Sequence, residues 1–438
     1  MHFLPAAAVA GFFNGWGRGL MKISHTQPAQ IPQNLEEIKN IINDSLLWMS
    51  SKNLSSFDPY DLQSTRIFIH FEQNSHRFTR FCLYPFYFLN LYAPRLLRIF
   101  FEKTKAATTS ALFAHSCLLW YYYTRNSPCL DLALRELHWL DEHASKGYSG
   151  YCWGLPFDWY MGDMVIAPKG TPFSTIMIYM IDAFSLGYRI TGDSKYRNIV
   201  ESSSCFFLHD LRQEVIDHQT ISLSYSPLDT FNVVNVNSYA AASLLKANGF
   251  RKNPDIDEFV SKLIHYVISK QNIDGSWNYW DPQKRENSMI DSLHQCYILQ
   301  NLYRCSLYKD DPSIIESIRR GFTFFMENFY QDGRIYKYSK NSYKKMHPPE
   351  LIDAAETIYT LTLLSPLLEV NNYLEKVVRF SLDNFKSENK PFFFSKMRRL
   401  QFLDIPYMRW GEAQMVHALI TYYLIRNDAL TVKEYLMR

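Results

Sequence analysis

What most limits the fold of this chain is a helical hairpin that returns six times. An apolar helix rich in small residues is followed by a short polar turn and an amphipathic helix. A longer loop rich in glycine, aromatic residues and carboxylates then leads to the next apolar helix. The apolar members are read at 106–124, 172–190, 234–249, 288–306, 350–368 and 410–426, and their partners at 128–144, 194–209, 255–270, 311–329, 371–388 and 430–438. Successive starts are spaced by roughly 55 to 65 residues, longer than solenoid repeats but the same kind of signal. The turns inside the pairs carry helix punctuation. Gly249 suits the position after a helix, and Asp310 or Asp311 suits the cap before Pro312. No set of core strands is read.

Six apolar helices, each shielded by an amphipathic partner, predict an all-α fold: an (α/α)6 toroid, or six-hairpin barrel, rather than an open solenoid. The toroid is expected over 106–438, with a helical N-terminal extension over 25–105 packed on it. Residues 1–24 are expected to be a flexible or non-native leader. Their apolar run from Phe3 to Phe13 is broken by Pro5, lacks a basic lead and is too short to cross a bilayer. The aromatic run 81–101 holds two prolines and two arginines. It reads first as an awkwardly packed helix pair and second as a peripheral contact with a membrane surface.

A net charge of +3 and no basic stripe exclude nucleic acid as the expected partner. The seven cysteines include no CxxC pair, so buried free thiols are expected and neither a metal nor a cofactor site is read. The 31 Phe, 30 Tyr and 9 Trp exceed the needs of a core, so some rings are expected to line a cleft.

In such a toroid the long loops gather at the end where the inner helices begin. The loops 145–171, 210–233, 271–287, 330–349 and 389–409 therefore form the candidate functional rim. DGSWNYWD (274–281) and DGRIYKY (332–338) are two versions of one loop. Trp277 is read evenly as a wedge between hairpins or a sugar platform. Trp153, Trp159, Tyr279 and Trp280 are read as platforms, because flat rings stack on the C–H faces of pyranoses. Polar residues at the first turns of the inner helices are candidates for the funnel: Asn235, Asp291, His294, Asp353, Glu356, Arg409, Trp410 and Glu412, with Asp158 in a rim loop. Asp158, Asp291, Asp353, Glu412 and His294 form the acid–base set that glycosidic or uronate chemistry requires. Asn235, Glu356, Arg409 and Trp410 are read as substrate-binding, though Arg409 and Glu412 have the spacing to pair with each other. Glu350 is read as a helix-dipole residue.

The order of CWGLPFDW (152–159), PKGTPFSTIMIYMIDAFSLGYRITGDSKY (168–196), DGSWNYWD, IDSLHQCYILQNL (290–302), DGRIYKY and MRWGEAQM (408–415) resembles a bacterial surface-polysaccharide biosynthesis family of VpsJ type. FDPYDLQS (57–64) is similar to that family's N-terminal motif. The resemblance implies the six-hairpin toroid of terpenoid cyclases and many glycosidases. It also implies a cytoplasmic role, at the inner membrane surface as the alternative, in making or trimming an exopolysaccharide, capsule or lipopolysaccharide. An oligosaccharide or lipid-linked glycan is then the expected partner. The expected activity is glycoside hydrolysis or uronate lyase or epimerase chemistry. A non-catalytic glycan-binding scaffold and an isoprenoid-handling enzyme are the rivals. The acidic DxDD signature of the cyclases is missing, and oligomeric state is not read.

Overall fold

The computed structural model describes residues 35–73, 77–281, 290–339, 347–397 and 405–437. The leader expected over 1–24 lies outside them. The described helices are α1 (Leu35–Ser51), α2 (Arg66–Gln73), α3 (Arg77–Tyr92), α4 (Pro94–Leu97), α5 (Ala107–Thr124), α6 (Ser127–Glu142), α7 (Met177–Thr191), α8 (Ser194–Cys205), α9 (Val234–Asn248), α10 (Pro254–Ser269), α11 (Ser292–Ser306), α12 (Pro312–Asn328), α13 (Leu351–Leu364), α14 (Asn371–Phe385), α15 (Ala413–Arg426) and α16 (Val432–Met437).

The odd-numbered helices from α5 to α15 form the inner ring. Each packs on the next, and α15 closes the circle on α5. Their surroundings explain their composition. Every residue of α9 and of α13 is buried, so neither helix has a solvent face to mark with charge. The outer helices α6, α8, α10, α12 and α14 bury one stripe each; in α12 it is Ile314, Ser317, Ile318, Gly321, Phe324 and Phe325. Asp193, Asn253 and Asp311 accept a backbone N–H at the starts of α8, α10 and α12; Asp311 is one of the two residues read as a cap from the sequence.

The sixth outer position departs from expectation. It is filled by α1, from the segment read as an extension. Ile38, Ile41, Ile42, Leu46 and Met49 join the main core, and Asn43 Oδ1 accepts Trp120 Nε1 at 2.8 Å. The last segment, read as the outer partner at 430–438, instead closes the narrow end of the ring. Tyr435 of α16 bonds His417, and its hydroxyl lies 3.0 Å from that of Tyr359. Lys246 Nζ donates to the Leu436 carbonyl at 2.6 Å. Six residues cannot cover an inner helix, but they can cap a polar hole whose donors need acceptors.

One backbone staple repeats around the rim. The first amide of an inner segment donates to the loop that follows its own hairpin: Ser174 to Tyr225 O (3.1 Å), Val234 to Tyr279 O (3.1 Å), Ser292 to Lys337 O (3.0 Å) and Leu351 to Ser395 O (2.9 Å). These staples put Tyr225, Tyr279 and Lys337 at equivalent places over the ring. The Asp-Gly turns have a matching cause. Gly275 and Gly333 have φ of +92° and +85°, and a Cβ on either would lie 2.4 Å from a carbonyl oxygen of the next outer helix, Arg320 or Lys376. Glycine alone allows both the backbone angle and that approach.

Residues 57–103 form a small cap beside the mouth of the ring. Leu62, Phe68, Leu83 and Leu97 make its separate core. Arg98 ties it to the ring by donating to Tyr407 Oη at 3.0 Å, and within the cap it approaches Asp61 at 3.6 Å.

Candidate functional site

The inner helices carry polar groups at two depths. Near the rim, Asp291 caps α11, accepting the His294 amide at 3.0 Å through Oδ1 and His294 Nδ1 at 2.5 Å through Oδ2. Burial works to raise the Asp291 pKa, but the imidazole bonded to it and the nearby Lys337 hold it below the usual carboxylate range. The His294 ring is met by Tyr279 at 4.4 Å and Tyr297 at 6.1 Å.

Asp353 lies on the neighbouring helix and is fully buried. Its Oδ1 accepts Ser292 Oγ at 2.8 Å, while Oδ2 has no hydrogen-bond partner among the described residues. Burial raises its pKa to about 7; the charges of Glu350 and Asp291 add to the shift, while Lys337 and the Ser292 bond oppose it. Glu350 makes no cap bond. Its carboxylate reaches Lys337 at 3.1 Å and Lys396 at 3.6 Å, and these ammonium groups hold it low against the effect of burial.

Arg409 does not pair with Glu412. It forks onto Asp58, with Nε–Oδ2 of 2.5 Å and Nη2–Oδ1 of 2.8 Å, and lies 5.3 to 5.5 Å from the ring centres of Trp410, Tyr60 and Phe157. Tyr60 also meets Trp410 edge-on at 5.5 Å and Trp159 at 6.5 Å. The FDPYD stretch thus lays Asp58 and Tyr60 across the rim. Trp159 continues through Phe173 and Tyr225, while Phe231, Trp280, Tyr279 and His294 form a second run of edge contacts.

One turn deeper, Tyr179, Tyr239, Tyr297 and Glu356 occupy equivalent places, each five residues after its helix's staple amide. The Tyr179 and Tyr239 hydroxyls are 3.3 Å apart. Glu356 accepts Gln300 Nε2 at 2.9 Å, and burial raises its pKa to about 7. Below them Asp182 binds Arg304 at 2.8 Å and sits 3.7 Å from Lys246; the two cations hold it near 2 although burial opposes this. Arg304 donates to Tyr359, and His115 Nδ1 lies 3.1 Å from His417 Nε2. Burial lowers the His115 pKa to about 4 and also holds that of His417 well below the usual imidazole range. These residues enclose a cavity of about 20 Å³, room for a water molecule rather than a sugar ring.

Several expected site residues do other work. Trp153 is fully buried, donates Nε1 to Leu140 O at 2.7 Å and stacks on Phe184, so it has no face for a sugar. Trp277 is the same wedge two hairpins further round the ring, bonded to Val267 O at 2.9 Å. Glu412 is buried and accepts the Phe393 amide at 2.8 Å, pinning a rim loop as Gln295 pins Trp277 and Asn237 pins Leu223. Asp158 accepts the Lys169 amide at 2.8 Å in its own loop. Asn235 is buried and its Oδ1 has no hydrogen-bond partner among the described residues. The rim therefore brings together Asp291, His294, Asp353, Arg409, Trp410, Trp159, Tyr279 and Trp280, with Glu356 one level down. Sequence reasoning missed Tyr60, Asp58, Lys337 and the Asp182–Arg304 floor. The signal for the last was present: charged residues late in otherwise apolar inner helices.

No protein-family model matches the chain, and no curated sequence relative matches it. The resemblance to the surface-polysaccharide family thus rests on its motifs. Solved structures do match. A cellobiose 2-epimerase from Spirochaeta thermophila superposes with a TM-score of 0.59 at 12% identity, over 74% of this chain and 86% of that one. A GH76 alpha-mannanase from Bacteroides thetaiotaomicron gives 0.56 at 11% identity, over 75% and 89%. An unsaturated glucuronyl hydrolase from Streptococcus agalactiae gives 0.54 at 10% identity, over 92% and 98%. The chain is an α/α toroid of the architecture these glycosidase-like enzymes share.

Proposed function

We propose that this protein modifies a glycan by acid–base chemistry at the rim of the inner ring, in the assembly of a bacterial surface polysaccharide. One observation carries the reading: two neighbouring carboxyl groups are driven apart in pKa, Asp353 upward and Asp291 downward. Asp353 holds a proton near neutral pH and serves as the acid. Asp291 orients His294 through Nδ1, leaving Nε2 as the ring's basic nitrogen. That base either activates water for glycoside hydrolysis or takes the C–H proton of a uronate in lyase or epimerase chemistry. The histidine base favours the second branch; Lys337 and Arg409 are held by Glu350 and Asp58. Trp159, Tyr279, Trp280, Trp410 and Tyr60 supply stacking faces for an oligosaccharide, free or lipid-linked. The structural neighbours, named for epimerase and glycosidase activities, support a carbohydrate substrate.

Uronate-containing oligosaccharides incubated in D2O and in ¹⁸O-water, then read by mass spectrometry, test this. Deuterium on ring carbon identifies epimerisation, one ¹⁸O at a new reducing end identifies hydrolysis, and chain cleavage to an unsaturated uronate end with neither label identifies elimination. Either label should vanish in Asp353→Asn and His294→Gln with melting unchanged. Wild-type turnover in both variants would refute the assignment, and binding with neither label nor an unsaturated product in any glycan would favour the scaffold.

A further inference from the structure

The cap beside the ring mouth exposes an unusual amount of apolar surface. Ile67, Phe86, Phe88, Leu96, Ile99 and Phe100 are six of the fifteen large apolar side chains exposed among the described residues, yet they fall within one short stretch. Isolated exposed hydrophobics are ordinary, whereas a cluster marks an interaction surface. Leu96, Ile99 and Phe100 lie on one side of the turns over 94–100, at i, i+3 and i+4 spacing. Ile99 and Phe100 are 78% and 76% exposed. Helices α2, α3 and α4 carry four of the six, and Ile99 and Phe100 follow in the turn Arg98–Phe100; α3 packs on both α2 and α4 around the cap's own small core. The inward faces are thus already satisfied by Leu62, Phe68, Leu83 and Leu97, and the outer apolar groups have no role in that core.

Charge identifies the occupant. Residues 66–103 contain six basic and two acidic residues, a net +4 in a chain whose total is +3. Arg66, Arg95 and Lys103 are exposed alongside the apolar groups, whereas Arg98 turns inward to Asn90 and Tyr407. Aromatic and aliphatic side chains interleaved with surface cations suit the boundary of an anionic bilayer, where rings enter the headgroup layer and cations meet phosphates. No helix of the described residues is long and apolar enough to cross a membrane.

We infer that the outer face of α2–α4 and of the turn Arg98–Phe100 docks on an anionic lipid surface. The same cap delivers Asp58 and Tyr60 to the rim, so docking holds the ring mouth beside the membrane. The inference deepens the lipid-linked branch of the proposed function, but its test needs no glycan. The full chain is sedimented with vesicles of phosphatidylcholine alone and of phosphatidylcholine with a third phosphatidylglycerol. Binding should be at least tenfold stronger to the anionic vesicles and fall with salt. Ile99→Glu with Phe100→Glu should abolish it without changing melting or the isotope-labelling activity. In the single variant Phe100→Trp, brominated lipid should quench fluorescence. Equal binding of wild type and the double variant overturns the proposal. So does a wild-type chain that ignores vesicles and self-associates through this face, read as a change in mass when the two glutamates are introduced. Loss of glycan turnover with intact vesicle binding would refute only the activity.

Discussion

Ser292 Oγ donates to Asp353 Oδ1 at 2.8 Å across two adjacent inner helices, and the second oxygen of that carboxyl has no hydrogen-bond partner among the described residues. A buried carboxyl so placed holds its proton. Glu356, one turn deeper, is raised in the same way. Both folded-state pKa values lie above the unfolded ones, so the folded state binds these protons more tightly. The stability this gives is complete below about pH 4 and is lost as pH rises through about 7. Each group tilts stability by at most about 1.4 kcal/mol per pH unit in that window. The melting temperature should therefore fall between pH 5 and pH 8. In Asp353→Asn with Glu356→Gln that slope should flatten; an unchanged slope would show that these two groups do not set it.

The two kinds of tryptophan should separate cleanly. Trp153→Ala and Trp277→Ala remove buried wedges and should cost about 3–5 kcal/mol in denaturant unfolding. Glycan affinity per folded molecule should not change. Trp159→Ala and Trp410→Ala, at half-buried rim positions, should weaken oligosaccharide binding about tenfold, or roughly 1.4 kcal/mol, in calorimetry with a smaller loss of stability.

Arg409 and Asp58 depend on each other. Asp58→Asn leaves a guanidinium among three rings without its fork and should destabilise by about 3 kcal/mol. Arg409→Lys keeps the charge but loses the bidentate geometry and should also destabilise. A double-mutant cycle in urea should give a coupling of at least about 1 kcal/mol; additive effects would mean the pair is not coupled.

The floor offers an independent test of the closed ring. Arg304→Met strands the buried Asp182 carboxylate beside Lys246 alone and should cost about 3–5 kcal/mol. Tyr435→Phe removes one hydroxyl that joins Tyr359 to His417 and should cost only about 1 kcal/mol. Equal losses in thermal or denaturant unfolding would contradict this description of the floor.

Gly275→Ala and Gly333→Ala each force a Cβ against a carbonyl of the next outer helix. Each should destabilise by more than the roughly 1 kcal/mol associated with a glycine-to-alanine change of backbone freedom. The same change at Gly147, whose φ is +86° with nothing within 4 Å, isolates the strain of the angle from the clash. Urea midpoints of the three variants make the comparison.

Much of the ring was legible because its cause is local. A fully buried inner helix must be apolar on all sides, and an outer helix must carry a stripe, so five hairpins, the sixth inner helix and the closed toroid follow from periodicity and the Asp, Asn, Gly and Pro punctuation at the turns. Asp291, His294 and Asp353 were legible as polar residues in the first turns of apolar helices. Their number in sequence, however, says nothing about what fills the space opposite them. Trp153 and Trp159 stand six residues apart in one aromatic loop, and only the packing of Phe184 and the Leu140 carbonyl makes the first a wedge. Glu412 carries the same charge as Asp353 but faces the Phe393 amide. Which terminal segment completes the outer layer was also beyond local reading, because α1 and α16 are both apolar on one side. Long-range contact decided that α1 covers the ring and that α16, too short to cover a helix, seals its polar floor. Sequence alone determined the repeated hairpin, since burial on all sides dictates composition residue by residue. Tertiary structure decided which polar side chain meets which partner, because hydrogen bonds and ion pairs depend on distances that the order of residues does not contain.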